Sequence, residues 1–506
     1  MVRLTRQAGV LLHPTSLPSR FGVGDLGPAA DIFLDWASQA GLRLWQVLPP
    51  GPTGPHHSPY DGLSAFAGDP LLVSPEWLVE EGLLPAGALD GAPDFPEGRV
   101  DWERVVPFRR RLLEDSFHHA RSLGGKIEGE ISRFANASSQ SAWLADWSLF
   151  AALRERNEAR PWTEWDPALA RREEAALAAA RAELAEEIAF HTYAQFLFFR
   201  QWQRVKAAAN ARGISILGDV PIYVAGDSAD VWAHRRLFAL GEDGRPVSVA
   251  GVPPDDFSAD GQLWGHPLYR WDVLADEGYD WWIERIRLNL RLADAVRLDH
   301  FRGFSAYWEV PAGAATARGG RWVNGPGLML FMAIQHALGD VALVAENLGV
   351  LTDDVRRLLE VLGLPGMKVL QFAFGELDSE HLPHHHVSNS VVYTGTHDND
   401  TTRAWFAALD EDAKTRFRDY FGTAAEDAAG DLIRAAYASV AERAIVPMQD
   451  ILDLGAEGRM NVPGRAGENW DWRAAKDAFS PERAARLRRL AALTGRAALP
   501  ENSPRP

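Results

Sequence analysis

The 506-residue sequence contains no cysteine, so disulfides and thiolate metal sites are excluded. That composition is compatible with a reducing cytoplasm, and the expected location is cytoplasmic. Long apolar runs are also missing. None approaches the roughly 18 residues that a membrane span requires, so no membrane partner is expected. The early apolar run Val10-Leu11-Leu12 is broken by His13 and Pro14, too soon for a secretory signal. Positive charge is in deficit: 52 Lys and Arg face 69 Asp and Glu, a net charge of −17. Such a chain repels nucleic acid, which is therefore not an expected partner. No internal repeat of 20–50 residues is visible. No Gly-x-Gly-x-x-Gly follows a strand-like run, which removes the usual signal of a dinucleotide fold.

What is present is a series of strand-like runs alternating with helical ones. Leu42–Leu48, Ile214–Val224, Ala295–Phe301, Val341–Ala345, Met367–Phe374, Val391–Thr394 and Ile445–Leu452 read as strands. Helical patterns cover Tyr279–Leu292, Leu328–Leu338, Asp353–Leu362 and a stretch from about Thr401. This alternation predicts an α/β protein with parallel βα units. Candidate catalytic groups at strand ends favour a closed (β/α)₈ TIM barrel over an open doubly wound sheet. One catalytic barrel is expected over residues 1–506. It would carry inserted, mainly helical subdomains: a mostly helical insertion at about 75–212 and a loop-rich one at about 225–290. The charges of the Ala/Glu/Arg-rich run after Pro167, such as Glu173, Glu174 and Arg181, read as a solvated helix face.

Three strand-like runs end in carboxylates. In Asp294-Ala-Val-Arg-Leu-Asp-His-Phe-Arg-Gly303, Arg297 and Asp299 lie two apart and so share a strand face. Glu346 follows the apolar run Ala342-Leu-Val-Ala345, and His397 and Asp398 follow Val391–Thr394. Cleaving a glycosidic bond with retention needs a proton donor and a nucleophilic carboxylate on opposite sides of the bond. Asp299, backed by Arg297, suits the nucleophile. Glu346, reached through an apolar run, suits an acid with a raised pKa. Asp398, beside His397, suits gripping hydroxyls and favouring a cationic transition state. Each signal alone is more often a helix cap or an ion pair; their conjunction points to chemistry on a sugar, for which the acidic net charge is no obstacle. The chain has 19 Trp against 9 Tyr. Most are expected in the core; Trp264 and Trp470, in Gly/Pro-rich surroundings, are the candidates for sugar platforms. Asp219, ending another run, is read equally as a support for an Arg or as a substrate contact. The His-rich tract His381 and His384–His386 raises a metal site as a rival. It follows Pro383 without an acidic framework, and no metal is expected. The sequon Asn136-Ala137-Ser138 reads as chance.

Longer segments carry a family likeness: Gly9-Val-Leu-Leu-His-Pro-Thr-Ser-Leu-Pro18, Gly24-Asp-Leu-Gly27, Trp45-Gln-Val-Leu-Pro49, Gly51-Pro-Thr-Gly54, Ser58-Pro-Tyr60, Gly218-Asp-Val-Pro-Ile-Tyr-Val224, Ala250-Gly-Val-Pro-Pro-Asp255, Gln449-Asp450 and Arg459-Met-Asn-Val-Pro-Gly464. With the three carboxylate segments, they resemble the 4-α-glucanotransferases, or amylomaltases, of glycoside hydrolase family 77 in the α-amylase clan. The resemblance runs over nearly the whole chain. It implies transfer of α-1,4-glucan segments, including cyclisation, with α-1,4-glucans and maltooligosaccharides as partners and no cofactor. It implies Asp299 as nucleophile, Glu346 as acid/base and Asp398 as transition-state stabiliser. Tyr60, Asp219, Trp264, Arg297, His397 and Asn469 are implied around the bound sugar, with 250–267 as a loop covering the cleft. Three segments depart from the usual pattern: Pro55-His56-His57, Asp61-Gly62-Leu63 and His266. The alternatives are a glucan hydrolase of the same clan and a catalytically silent glucan-binding protein.

Overall fold

The computed structural model describes residues 6–254, 258–349, 351–465 and 467–497. Its twelve strands, in chain order, are β1 (Gln7–Leu11), β2 (Leu44–Gln46), β3 (Ser215–Val220), β4 (Ser248–Val252), β5 (Gln262–Pro267), β6 (Ala295–Leu298), β7 (Ala306–Pro311), β8 (Arg321–Asn324), β9 (Leu343–Ala345), β10 (Gly366–Val369), β11 (Ser390–Tyr393) and β12 (Arg443–Pro447). Eight of them form one parallel sheet in the order β10-β11-β12-β1-β2-β3-β6-β9. The two edges meet where Ala345 N–H donates to Pro365 O at 2.9 Å. The result is the expected closed α/β barrel, with every strand's C-terminal end at one mouth.

The barrel strands are short and almost wholly buried, because helices cover the outside and side chains fill the inside. They are shorter than the sequence runs suggest, for local reasons. Ile214–Val224 ends as a strand at Val220, before Pro221. Ala295–Phe301 stops at Leu298, and the chain then turns through His300 in a left-handed conformation (φ 49°). The last run starts earlier, at Arg443, and ends at Pro447, after which Met448–Ile451 is helical. The first strand, β1, is not among the strands expected from the sequence. The helices Leu328–Leu338 and Asp353–Leu362 match their patterns. Beyond Thr401, helix Glu411–Phe421 starts on Asp410, whose carboxylate accepts from Ala413 N–H, and stops at Gly422 with φ 63°.

The connection from β2 to β3 carries most of the helices outside the barrel. Trp102–Leu123, Leu144–Arg156 and the 27-residue Ala185–Ala211 are the longest. Trp202 of the last donates its indole N–H to Leu292 O at 2.8 Å, tying it to helix Asp280–Leu292. Arg109, fully buried on Trp102–Leu123, pairs with Asp25 at 3.0 Å and donates to Leu71 O and Val73 O.

A second sheet was not foreseen. Strands β5-β4-β7-β8 form an antiparallel unit, with a bulge between Val249 and Gly251. The segment around Trp264, read from sequence as a Gly/Pro-rich loop, is therefore strand β5. It pairs with β4, the strand before it in the chain, and Trp264 and His266 alternate with the more exposed Leu263 and Gly265. Asp255, within one of the family-like segments, lies outside the described residues. Among those residues, no helix is long and apolar enough to cross a membrane.

Candidate active site

The mouth of the barrel gathers the strand-end groups. Asp219 on β3 and Arg297 on β6 are partners in the sheet register, so both side chains point the same way across one rung. The Arg297 fork is fully used. One terminal nitrogen donates to both Asp219 oxygens, at 2.8 and 2.7 Å, and the other to Asp299 Oδ1 at 2.8 Å. Its Nε faces Met367 Sδ at 3.4 Å. Burial alone would lower the guanidinium pKa, but the carboxylates of Asp219 and Asp299 raise it well above its ordinary value. The shared face of Arg297 and Asp299, expected from their spacing, is thus realised as a charge-assisted hydrogen bond.

Tyr60 closes this network from above. Its hydroxyl donates to Asp219 Oδ2 at 2.7 Å. Burial, then the charge of Asp219, pushes the phenol pKa well above 10, so it remains a donor. The ring lies nearly parallel to that of His397, with centroids 4.9 Å apart, and both rings touch Trp470. Asp219 itself has no exposed side-chain surface. Its side-chain contacts run to Arg297 and Tyr60.

Glu346 follows β9, the sheet neighbour of β6. Its carboxyl accepts from His300 N–H at 2.8 Å and Leu348 N–H at 2.6 Å. It is buried, and burial, then the nearby charge of Asp299, pushes its pKa up to about 7, against the pull of Arg297. An acid poised there is a competent proton donor and acceptor near neutrality. Asp398 is different: its side chain is 49% exposed, in the loop after β11. Asn461 donates to its Oδ1 at 2.6 Å, and His397 Nε2 lies 3.4 Å from its Oδ2. Behind His397 sits His13, buried and neutral, its pKa pushed down to about 3 by burial and by His397.

Trp264 reaches the same mouth from β5. Its ring meets His300, the residue after Asp299, edge to face at 4.7 Å and 85°. Asn469 donates one amide N–H to Arg465 O at 2.9 Å and accepts from Val462 N–H at 3.0 Å. In this conformation it shapes the loop that carries Trp470. Sequence reading assigned no role to Asn461, Arg459, His13 or His300, although Arg459 and Asn461 stand inside a family-like segment. Their proximity to Asp398 depends on chain crossings that no local pattern encodes.

The His-rich tract is taken up by separate local bonds. His381 Nδ1 accepts from Val369 N–H, while His384 meets Tyr420 Oη and His386 meets Ser439 Oγ. Among the described residues, no group of three or more His, Asp or Glu is arranged to hold a metal.

The sequence model of glycoside hydrolase family 77, described as 4-alpha-glucanotransferase, matches residues 12–477. The chain belongs to the 4-alpha-glucanotransferase family. The 4-alpha-glucanotransferase of Thermus thermophilus is 48% identical over 98% of this chain and 100% of the relative. That of Synechocystis is also 48% identical, over 97% of this chain and 98% of the relative. The chloroplastic/amyloplastic 4-alpha-glucanotransferase of Solanum tuberosum is 44% identical over 92% of this chain and 82% of its own. Among solved structures, the amylomaltase of Streptococcus agalactiae in complex with acarbose superposes with a TM-score of 0.94. It is 38% identical and covers 97% of this chain and 100% of its own. The chain is accordingly an enzyme with 4-alpha-glucanotransferase activity on a TIM-barrel fold.

Proposed function

We propose that this 4-alpha-glucanotransferase works by double displacement on α-1,4-glucans and maltooligosaccharides. Asp299 attacks the anomeric carbon while Glu346 gives its proton to the departing 4-oxygen. A β-glucosyl ester on Asp299 forms, and the reducing-end fragment leaves. Glu346, now a carboxylate, takes the proton from the 4-hydroxyl of an acceptor glucan, whose oxygen displaces Asp299. Two inversions return the α configuration. When the acceptor is the far end of the same chain, the product is cyclic. Asp398 and His397 hold the ring hydroxyls, Tyr60 stacks on the sugar, and Trp264 covers the intermediate. No cofactor takes part, and a cytoplasmic setting belongs to the same reading.

The observation that carries this reading is the contrast between two carboxylates on neighbouring strands. Asp299 is bonded to a guanidinium. Glu346 is buried with its pKa raised to about 7. That contrast supports Asp299 for nucleophilic attack and Glu346 for proton transfer. The acarbose complex of the Streptococcus agalactiae relative supports an oligosaccharide as occupant. The test is maltotriose. Transfer yields glucose together with longer chains and leaves the number of reducing ends unchanged. A steady rise in reducing ends without longer products would make the enzyme a hydrolase. Neither change would make it a binder.

A further inference from the structure

Asp398 stands on a loop, not on a strand, and half of its side chain is exposed. Packing therefore does little to fix it. The loop leaves β11 at Thr394 and re-enters regular structure at Thr402, the first residue of helix Thr402–Ala408. Beneath it lies Asp450, only 3% exposed, in the short helix after β12. Its Oδ2 accepts from Thr394 Oγ1 at 2.6 Å and from Thr402 Oγ1 at 2.7 Å. Its Oδ1 accepts from Thr402 N–H at 2.7 Å. One buried carboxylate thus bonds both ends of the segment that bears His397 and Asp398. Gln371 reinforces the far end, donating to Asp400 O at 3.0 Å and to Thr402 Oγ1 at 3.2 Å.

The choice of residue fits the task. Three donors converge on Asp450, and an ionised carboxylate accepts on both oxygens, whereas an amide would turn its N–H groups either toward the Thr402 N–H or toward the two threonine hydroxyls. Asp450 has a cost in burial that a purely structural contact between β11 and β12 does not require, since apolar side chains already pack that interface. The pair Thr394 and Thr402 spans the loop as its hinge points would, so their separation sets where Asp398 stands relative to Asp299.

We propose that Asp450 is a positioning residue for transfer: it fixes the separation of Thr394 and Thr402 and so holds Asp398 against the sugar. The inference rests on the role given to Asp398 above. The test is a double-mutant cycle on maltotriose disproportionation, with Asp450→Ala and Asp398→Asn. Displacing a reacting group by about an ångström costs on the order of 100-fold. Asp450→Ala should therefore lower kcat by about that factor, leaving KM within about threefold. Once Asp398 is neutralised, adding Asp450→Ala should cost no more than about threefold, because coupled residues are not additive. If Asp450→Ala does not fold, Thr394→Val and Thr402→Val remove one donor each at constant shape. Each is expected to lower kcat about tenfold, and again to be silent beside Asp398→Asn. A loss of the same size with and without Asp398, or a parental kcat in Asp450→Ala, overturns the inference. An Asp398→Asn enzyme with parental kcat overturns instead the reading beneath it, and the two failures are distinguishable.

Discussion

The two flanks of the barrel mouth are held by different physics. On one flank, Asp219 and Arg297 are register partners on adjacent strands, Asp299 directly follows the second of them, and the buried guanidinium binds both carboxylates. On the other, Asp398 stands half exposed on a loop, held by hydrogen bonds from Asn461 and, through the backbone, from Arg459 at 3.3 Å. The first flank is rigid because the sheet is rigid. The second is only as fixed as the chain segments that reach over to it. In the mechanism proposed above, the nucleophile belongs to the strand-borne flank, and the transition-state stabiliser, which changes no covalent partner, stands on the other.

The sharpest way to break this comparison is Asp299→Asn. It keeps the shape and the contact with Arg297 but removes the nucleophile. Transfer is expected to fall on the order of 10⁴-fold, the scale seen when one member of a catalytic unit is lost. The variant should fold, as judged by an unchanged circular dichroism spectrum. Activity near the parental value in a folded, pure sample would remove Asp299 from its role.

Glu346→Gln comes next. Without the proton donor, glucan cleavage is expected to fall about 10³-fold, within the range of general acid–base contributions. A donor such as α-glucosyl fluoride, whose leaving group needs little protonation, should still load the enzyme at a rate much closer to the parent. Equal loss with both donors would contradict the acid assignment.

The same residue gives a pH signature. Its pKa is raised from 4.5 to about 7, mainly by burial. Cleavage of glucans should therefore decline as pH rises through about 7, while glucosyl fluoride lacks that limb. Stability follows with a definite sign. Between 4.5 and about 7 the folded state holds a proton that the unfolded chain has lost, so this group's contribution falls as pH rises across that window. Glu346→Gln removes the penalty. Its melting temperature relative to the parent should be higher at pH 8 than at pH 4.5. A difference that does not change with pH would mean that the folded pKa is ordinary.

The strand-borne flank was legible in the sequence and the loop-borne one much less so. An alternating apolar run with Arg297 and Asp299 two apart encodes its own geometry, because a strand repeats every two residues. The barrel was legible for the same reason: its strands and helices announce their periods locally. Asp398 was found, but its supports were not. Asn461 reaches it from 63 positions away, and Asp450 reaches Thr402 from 48. No spacing rule links such pairs; only the closed barrel, which brings β11 beside β12, places them together. The small antiparallel sheet was missed because Gly261, Gly265 and Pro267 read as loop signals, while the pairing of β5 with β4 overrides that weak preference.

The smallest effect expected is at Trp264, where that misreading matters most. A Trp on a flexible loop has two easy explanations: it packs beneath the loop, or it moves over the site. Strand β5 changes the question, since Trp264 stands between Leu263 and Pro267, both paired with β4, and its ring meets His300, next to Asp299, edge to face. A ring fixed there excludes water from the ester without needing to close over it. Trp264→Ala should then raise hydrolysis relative to transfer by a few-fold, read as new reducing ends per glucose released from maltotriose. The ring is only half-buried, so the melting temperature should change little. A large loss of stability with an unaltered ratio of hydrolysis to transfer would assign Trp264 to packing of the small sheet. In that case protection of the intermediate would have to come from the strand-borne flank alone, and the division of labour between the two flanks would be deeper than the one drawn above.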